Sequence, residues 1–420
     1  MNKPSQEEIL STVVIAIIAI CQALNAEETA KSIEVLVTAT REKNIFDTPY
    51  SVSVVDRNYL VENQIRTTPE ILQEVTGPMV QKTSFGHGSP YIRGLTGFRN
   101  LFLIDGIRLN NSCFREGPNQ YWNTIDNLLI ERMEILKGSS SVLYGSDALG
   151  GTVAVFTPEP DMTKERYSAS KVFSRYSYAE NSVVTRVEQE GKLERLGFIL
   201  GGTSKKFGDI IAGKDTGRLP NTGYEEWDAD FKAIYQINEK DKLIFAYQKT
   251  VQDDVPRTHR TIYSKSYEGT KIGTDLRADY DQNRELSYIQ YHWDESPNFY
   301  RAGTISLSWH KQAETFERLT SDEKNEIRKF TVNTLGFTSR IITPVRTGTL
   351  TYGLEYYSDF VDSSGKDISR TGSITQYARG EVPDDSTYSM LGLYLQKEFT
   401  PFSLFELNMG ARYSLVQTES

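Results

Sequence analysis

The chain has 420 residues, with 24 Tyr, 19 Phe and 30 Gly but only 2 Cys, and a formal net charge of −9. A chain of pI near 5.3 lacks the excess of Lys and Arg that a phosphate-binding surface needs, and a mean hydropathy of −0.46 excludes a bundle of transmembrane helices. A polar chain rich in Tyr and Gly fits a β-protein, including a membrane β-barrel, whose strands present an apolar side chain to lipid only at every second position.

Residues 10–24 (LSTVVIAIIAICQAL) are almost wholly apolar, too short for a comfortable membrane span, and are followed by Asn25-Ala26. They predict a signal peptide over residues 1–26, then a linker over 27–45, a globular domain over 46–160 and a strand-rich domain over 161–420. Cys21 lies in the leader, which leaves Cys113 without an intramolecular partner after cleavage.

The globular part begins with a strand, SVSVVD at residues 51–56. A helix follows over residues 67–75, with Thr67 or Thr68 as N-cap, Pro69 in the first turn and Gly77 as terminator. YIRGLTG reads as a strand, LFLIDGIRLN as a hairpin, IERMEILKG as a strand, SSSVLYGSDALGG as a helical turn and TVAVFTP as a strand. Beyond Lys164 the texture changes to long period-2 segments. Trp227, Ala229, Phe231, Ala233 and Tyr235 alternate with Asp228, Asp230, Lys232, Ile234 and Gln236, which places one apolar face against a mostly polar one. Strands are predicted at 166–178, 182–192, 194–207, 224–237, 242–253, 284–295, 299–316, 328–343, 346–361, 386–400 and 403–417. From the third strand onward long polar connectors (208–223, 254–283, 319–327, 362–385) alternate with tight ones (238–241, 296–298, 344–345, 401–402), the asymmetry of outer-membrane barrels.

Tyr91-Ile92-Arg93-Gly94, Leu103-Ile104-Asp105-Gly106-Ile107, Ile130 to Gly138 (IERMEILKG), Ser141 to Gly145 (SVLYG) and Gly150-Gly151-Thr152-Val153 stand in order over one domain. In this order and spacing they resemble the plug domain of the TonB-dependent outer-membrane receptors; Ser139 departs from the Pro usual there. The resemblance implies an α+β plug domain followed by an antiparallel transmembrane β-barrel, and Glu34, Val35, Leu36, Val37 and Thr38 look like the TonB box. Such an extended, β-branched segment can add a strand to a periplasmic partner and transmit a pull. The implied partners are TonB, of the energy-coupling TonB/ExbB/ExbD complex, and outer-membrane lipid. Arg93, Glu131, Arg132 and Glu134, enclosed by a polar wall, are expected to form ion-pair networks that hold the plug yet yield to force. Asp105, Lys137 and Tyr144 join them as family landmarks, and Gly94, Gly106, Gly138, Gly145, Gly150 and Gly151 are expected at sharp turns or close backbone contacts.

The family resemblance implies a metal chelate as cargo, an iron or cobalt complex such as a ferric siderophore, haem or cobalamin, with no permanently bound cofactor and no metal site. Residues 83–90 (TSFGHGSP) and 110–122 (NNSCFREGPNQYW) are expected to face the outer cavity, with His87, Phe114, Arg115, Asn119, Tyr121 and Trp122 as contacts. His87, and His259 in the 254–283 connector, are candidate axial haem ligands. No GxSxG, HExxH, CxxC or phosphate-loop motif occurs, so an enzyme is the least supported class. A passive porin or adhesin barrel and a secreted carbohydrate-binding β-protein are the competing readings. The 11 or so strands are an odd number, about half of the ~22-stranded barrel that the resemblance implies, and the expectation is a C-terminally truncated chain that cannot close a functional barrel alone.

Overall fold

The computed structural model describes residues 34–35, 43–44, 50–213, 216–266, 268–294, 302–402 and 405–420. The expected signal peptide and the box residues Leu36, Val37 and Thr38 lie outside the described residues. Glu34 and Val35 form the two-residue strand β1 (Glu34–Val35), and β2 is Lys43–Asn44. Val35–Ser420 form one compact unit.

The plug is built on a five-stranded sheet. Strands β3 (Ser51–Asp56), β6 (Asn100–Ile104), β7 (Ile107–Arg108), β8 (Arg132–Lys137) and β9 (Gly151–Phe156) run in the order β3-β8-β9-β6-β7, with β6 and β9 parallel and the other pairs antiparallel. Ile104, Met133, Ile135, Val153 and Val155 are fully buried, as expected for the continuous apolar runs of strands covered on both faces. A second hairpin pairs β4 (Met79–Ser84) with β5 (His87–Tyr91). The expected helix forms over Thr68–Ile71 and tightens to a 3-10 turn at Leu72–Glu74, with Thr67 as N-cap and Gly77 at φ +106°. YIRGLTG is not a strand. Arg93 (φ +52°) and Gly94 (φ +77°) close a two-residue turn that brings Ile92 opposite Leu95, the same device that Asp105 (φ +48°) and Gly106 (φ +82°) form between β6 and β7.

The period-2 segments form one antiparallel sheet. Its order is β10 (Tyr167–Ser177), β11 (Ser182–Leu193), β12 (Leu196–Phe207), β15 (Tyr224–Gln236), β16 (Asp241–Pro256), β17 (Arg277–Trp293), β18 (Ala302–Leu319), β19 (Asn325–Val345), β20 (Gly348–Ile368), β22 (Ser386–Phe402) and β23 (Phe405–Glu419). Within the long connectors, β13 (Ile211–Ala212) pairs with β14 (Gly217–Arg218), and β21 (Ile374–Tyr377) folds back onto β20.

The sheet is inverted in polarity. Its outward face carries Leu200, Trp227, Phe245, Ile289, Leu307, Leu335 and Leu393, all exposed, while Arg186, Lys205, Asp228, Asp230 and Arg284 point inward and are buried against the plug. A sheet standing in water hides its apolar face; this one hides charge and offers hydrocarbon, the pattern of a wall standing in lipid. Several strands run further toward the long-connector side than alternation predicts: β17 begins at Arg277 rather than 284, and β20 ends at Ile368 rather than 361. There the outward residues are Arg277, Asp279 and Asp281, so the outward face turns polar although the ladder continues.

Candidate functional site

Three polar clusters join the plug to the inward face of the sheet. The first lies toward the long connectors and is centred on Arg115. Its Nη1 donates to the Tyr280 hydroxyl at 3.1 Å, and its Nη2 donates to Glu314 and, at 3.0 Å, to Glu381 of the 369–385 connector. Arg257 also donates to the Tyr280 hydroxyl, at 3.2 Å, and both guanidinium groups lie over the Tyr280 ring, 5.1 and 5.6 Å from its centroid. Tyr280 stacks on Phe316 at 4.6 Å, and Arg260 lies over Phe316 in turn. Cation and ring faces thus alternate in a band that Arg115 leaves partly open to solvent.

The other residues expected at the outer cavity fall elsewhere. Phe114 stacks on Tyr121 at 4.6 Å, Trp122 packs on Phe102 at 4.4 Å, and these four rings with Asn119 are buried in the plug core, because residues 121–124 form a 3-10 turn pressed against the sheet. Residues 83–90 are not an open loop but the tip of the β4–β5 hairpin. Phe85 stacks on Phe207 at 5.3 Å there, and a Cβ on Gly86 would meet Val255 at 2.4 Å. His87 is 1% exposed and neither ring nitrogen has a hydrogen-bond partner among the described residues. Burial, reinforced by the charges of Arg257, His259 and Arg115, pushes its pKa down to about 3, so the ring is neutral. His259 is exposed on the 3-10 turn Thr258–Arg260. Burial also pushes the free Cys113 thiol up to about 12.

The second cluster sits at mid-depth. Asp126 of the plug accepts from the Thr203 hydroxyl at 2.6 Å and pairs with Lys205 at 2.8 Å and Arg186 at 3.5 Å; Arg186 also reaches Asp230 and Lys205 reaches Glu226. Burial works to raise the Asp126 pKa, but Lys205 and Arg186 outweigh it and hold the carboxyl below its usual range. The third cluster surrounds the Asp105-Gly106 turn. Asp105 accepts from the Tyr288 hydroxyl at 2.7 Å and the Thr157 hydroxyl at 2.6 Å and pairs with Lys232 at 3.3 Å, while Gln290 donates to its carbonyl.

The expected ion-pair set is brought together in part. Arg132 pairs with Glu134 at 2.8 Å, and Glu131 faces Arg57, which in turn reaches Glu188 of the sheet at 3.3 Å. Arg93 lies instead with its guanidinium against Gly138, where a Cβ would stand 3.0 Å away. Lys137 donates to Ser53 and to the Thr76 carbonyl. Gly145 has φ +85°, whereas Gly150 and Gly151 serve close approach: a Cβ there would lie 2.3 Å from Asn100 Oδ1 and 2.6 Å from the Leu136 carbonyl. Sequence reasoning missed Asp126, Arg57 and Lys205. Each is one polar residue among many on an alternating or capped segment, and its role depends on a partner distant in the chain. Among the described residues no His, Cys, Asp and Glu cluster has a metal-holding arrangement.

Toward the short turns the plug and sheet line a partly open cavity of about 630 Å³, bordered by Leu101, Asp105 and Tyr144 of the plug and by Lys232, His292 and Arg340 of the sheet, among others.

Residues 44–152 match the family described as "TonB-dependent Receptor Plug Domain". The chain is 26% identical over 298 residues to the vitamin B12 transporter BtuB of Vibrio vulnificus, covering 68% of this chain and 48% of that protein. It is 25% identical to the iron-regulated outer membrane virulence protein of Vibrio cholerae, covering 86% of this chain and 53% of that one. Among solved structures, the copper transporter OprC superposes with a TM-score of 0.70 at 13% identity, over 87% of this chain and 55% of that chain. The chain therefore spans about half the length of the curated relatives it matches. Two of these three proteins are named as transporters.

Proposed function

We propose, from the premise that this chain is a member of the TonB-dependent receptor family, that it serves the active import of a metal chelate across a bacterial outer membrane, and that the chelate is anionic. The observation that carries this reading is how the plug is held. It is fixed by hydrogen-bonded ion pairs, Asp126 with Lys205 and Arg186 and Asp105 with Lys232, inside a sheet whose outward face is apolar. Directional polar contacts break over a short displacement and can re-form, which suits a plug that must be remodelled under a pull. The outward apolar face supports residence in outer-membrane lipid.

The cargo class rests on the outer cluster. Arg115 and Arg257 offer fixed, always-charged donors beside the aromatic faces of Tyr280 and Phe316, and this arrangement favours an anionic, flat-faced iron chelate such as a siderophore complex. Haem ligation by His87 fits less well, since that residue is only 1% exposed. The coupling partner in this reading is TonB, engaging Glu34, Val35, Leu36, Val37 and Thr38.

The test is growth on a panel of iron and cobalt chelates, followed by uptake of the labelled chelate that supports growth. Uptake should stop when the proton-motive force is collapsed and in Leu36→Pro or Val37→Pro, while binding to intact cells persists. Uptake that survives both treatments would identify a passive barrel instead.

A further inference from the structure

Besides the outer cluster, the cavity on the short-turn side has a cation that forms no ion pair among the described residues. Its size, about 630 Å³, lies within the range of about 300–1,000 Å³ typical of small-molecule pockets. Most cations on its lining are paired: Lys232 with Asp105 at 3.3 Å, Lys242 with Glu159 at 2.7 Å and Arg108 with Asp147 at 2.7 Å. Arg340 is different. Its recorded neighbours are phenols: it lies over the Tyr144 ring at 5.7 Å and is in hydrogen-bonding relation with the hydroxyls of Tyr144 and Tyr394. Among the described residues it has no ion pair within 4.0 Å, and the nearby carboxylate of the lining, Glu355, is bound to Arg412 and faces Arg108 at 3.8 Å.

A guanidinium has five donors, and two phenols do not exhaust them. The Tyr394 hydroxyl donates to the Ser339 carbonyl at 3.3 Å, so the guanidinium itself is the donor to the anion; Tyr144 is buried in a setting that raises its pKa, which keeps its hydroxyl protonated. We infer that Arg340, with Tyr144, Tyr394 and Tyr357, which also lines the cavity, forms a second binding site for an anionic oxygen group, at which the transported chelate pauses between the outer cluster and the short-turn side. This rests on the import reading. The two sites share one chemistry, guanidinium and aromatic ring, at opposite ends of the plug, and Tyr144 stands on the plug while Arg340, Tyr357 and Tyr394 stand on the sheet. A displacement of the plug therefore changes the inner site directly and leaves its sheet half in place.

The experiment uses the receptor in cells and the chelate found on the growth panel. In Arg340→Gln, binding on ice should stay within about twofold of wild type while energised uptake falls about tenfold, and Arg340→Lys should recover most of the rate. A benzophenone amino acid at Thr338, on the cavity wall, should capture labelled chelate only in energised cells and lose that capture in Arg340→Gln. Uptake by Arg340→Gln at the wild-type rate, or capture independent of Arg340, overturns the site. Arg340-dependent binding of inorganic phosphate to the purified receptor, with uptake unaffected, assigns it to a free counter-ion and overturns the transit role. Wild-type cells that take up no chelate on the panel overturn the import reading itself, a result distinct from all of these.

Discussion

His87 illustrates how much a single buried residue can add to the behaviour of the plug. Its folded pKa of about 3 lies below the 6.5 of an ordinary imidazole, so between these values the unfolded chain binds the extra proton. Its contribution is thus fully present above pH 6.5 and is lost as pH falls toward 3, at up to about 1.4 kcal/mol per pH unit. His87→Leu removes both the proton site and the two unpartnered nitrogens. Acidification from neutral pH to about 5 should therefore weaken hydrogen-exchange protection of the β4–β5 hairpin in wild type more than in the variant; equal losses would rule out His87 as the cause. The sequence signalled this residue but misplaced it. Flanking glycines and serines read as an open loop, whereas the hairpin tip beside His87 is closed at Gly86 by Val255 and Tyr224, more than a hundred residues away, and no local pattern encodes that. Gly106 and Gly145, by contrast, were legible because positive φ is a local demand that glycine meets without a Cβ clash.

At the scale of elements, the connector 369–385 returns to the plug and touches it through one ion pair. Glu381 holds the Arg115 guanidinium at 3.0 Å, in the place proposed above for an anionic group of cargo, and Val382 packs against the hydrophobic cluster shared by plug and sheet. The two side chains are 23% and 38% exposed, so the pair itself contributes no more than about 1 kcal/mol. Glu381→Gln removes the competing charge and keeps the shape. It should tighten binding of an anionic chelate up to about fivefold, measured by quenching of intrinsic fluorescence, and unchanged or weaker binding would count against displacement of Glu381. The sequence placed the strands well because alternation marks their outward apolar rows. It lost their long-connector ends, as at Arg277 to Asn283, where the ladder continues but Asp279 and Asp281 face outward and the apolar beat disappears. The plug landmarks are similarly readable as turns and strands, but YIRG is strand only at Tyr91, the last residue of β5; the turn is set by Arg93 and Gly94 together.

For the whole molecule, what matters is that two environments impose opposite rules on one sheet. The inward face accepts Arg186 and Lys205 because Asp126 of the plug pairs with both, and Asp230 because Arg186 beside it on the sheet pairs with it, while the outward Leu307 and Leu335 suit lipid, which asks for no hydrogen bond. Along β18 the outward row runs from Ile305 and Leu307 through Trp309 to Lys311 and Thr315, so the apolar belt ends between Trp309 and Lys311. A cation inserted at the two ends of this row should therefore have unequal effects. Leu307→Arg, inside the belt, is expected to destabilise the membrane-embedded protein by about 2–4 kcal/mol, whereas Thr315→Arg, above it, should cost about 0–1 kcal/mol. Chemical denaturation in lipid vesicles, scored by heat-modifiable migration, measures both. Equal costs would mean that the outward face does not stand in a bilayer, and a neutral Leu307→Arg would point to an aqueous setting for the whole sheet.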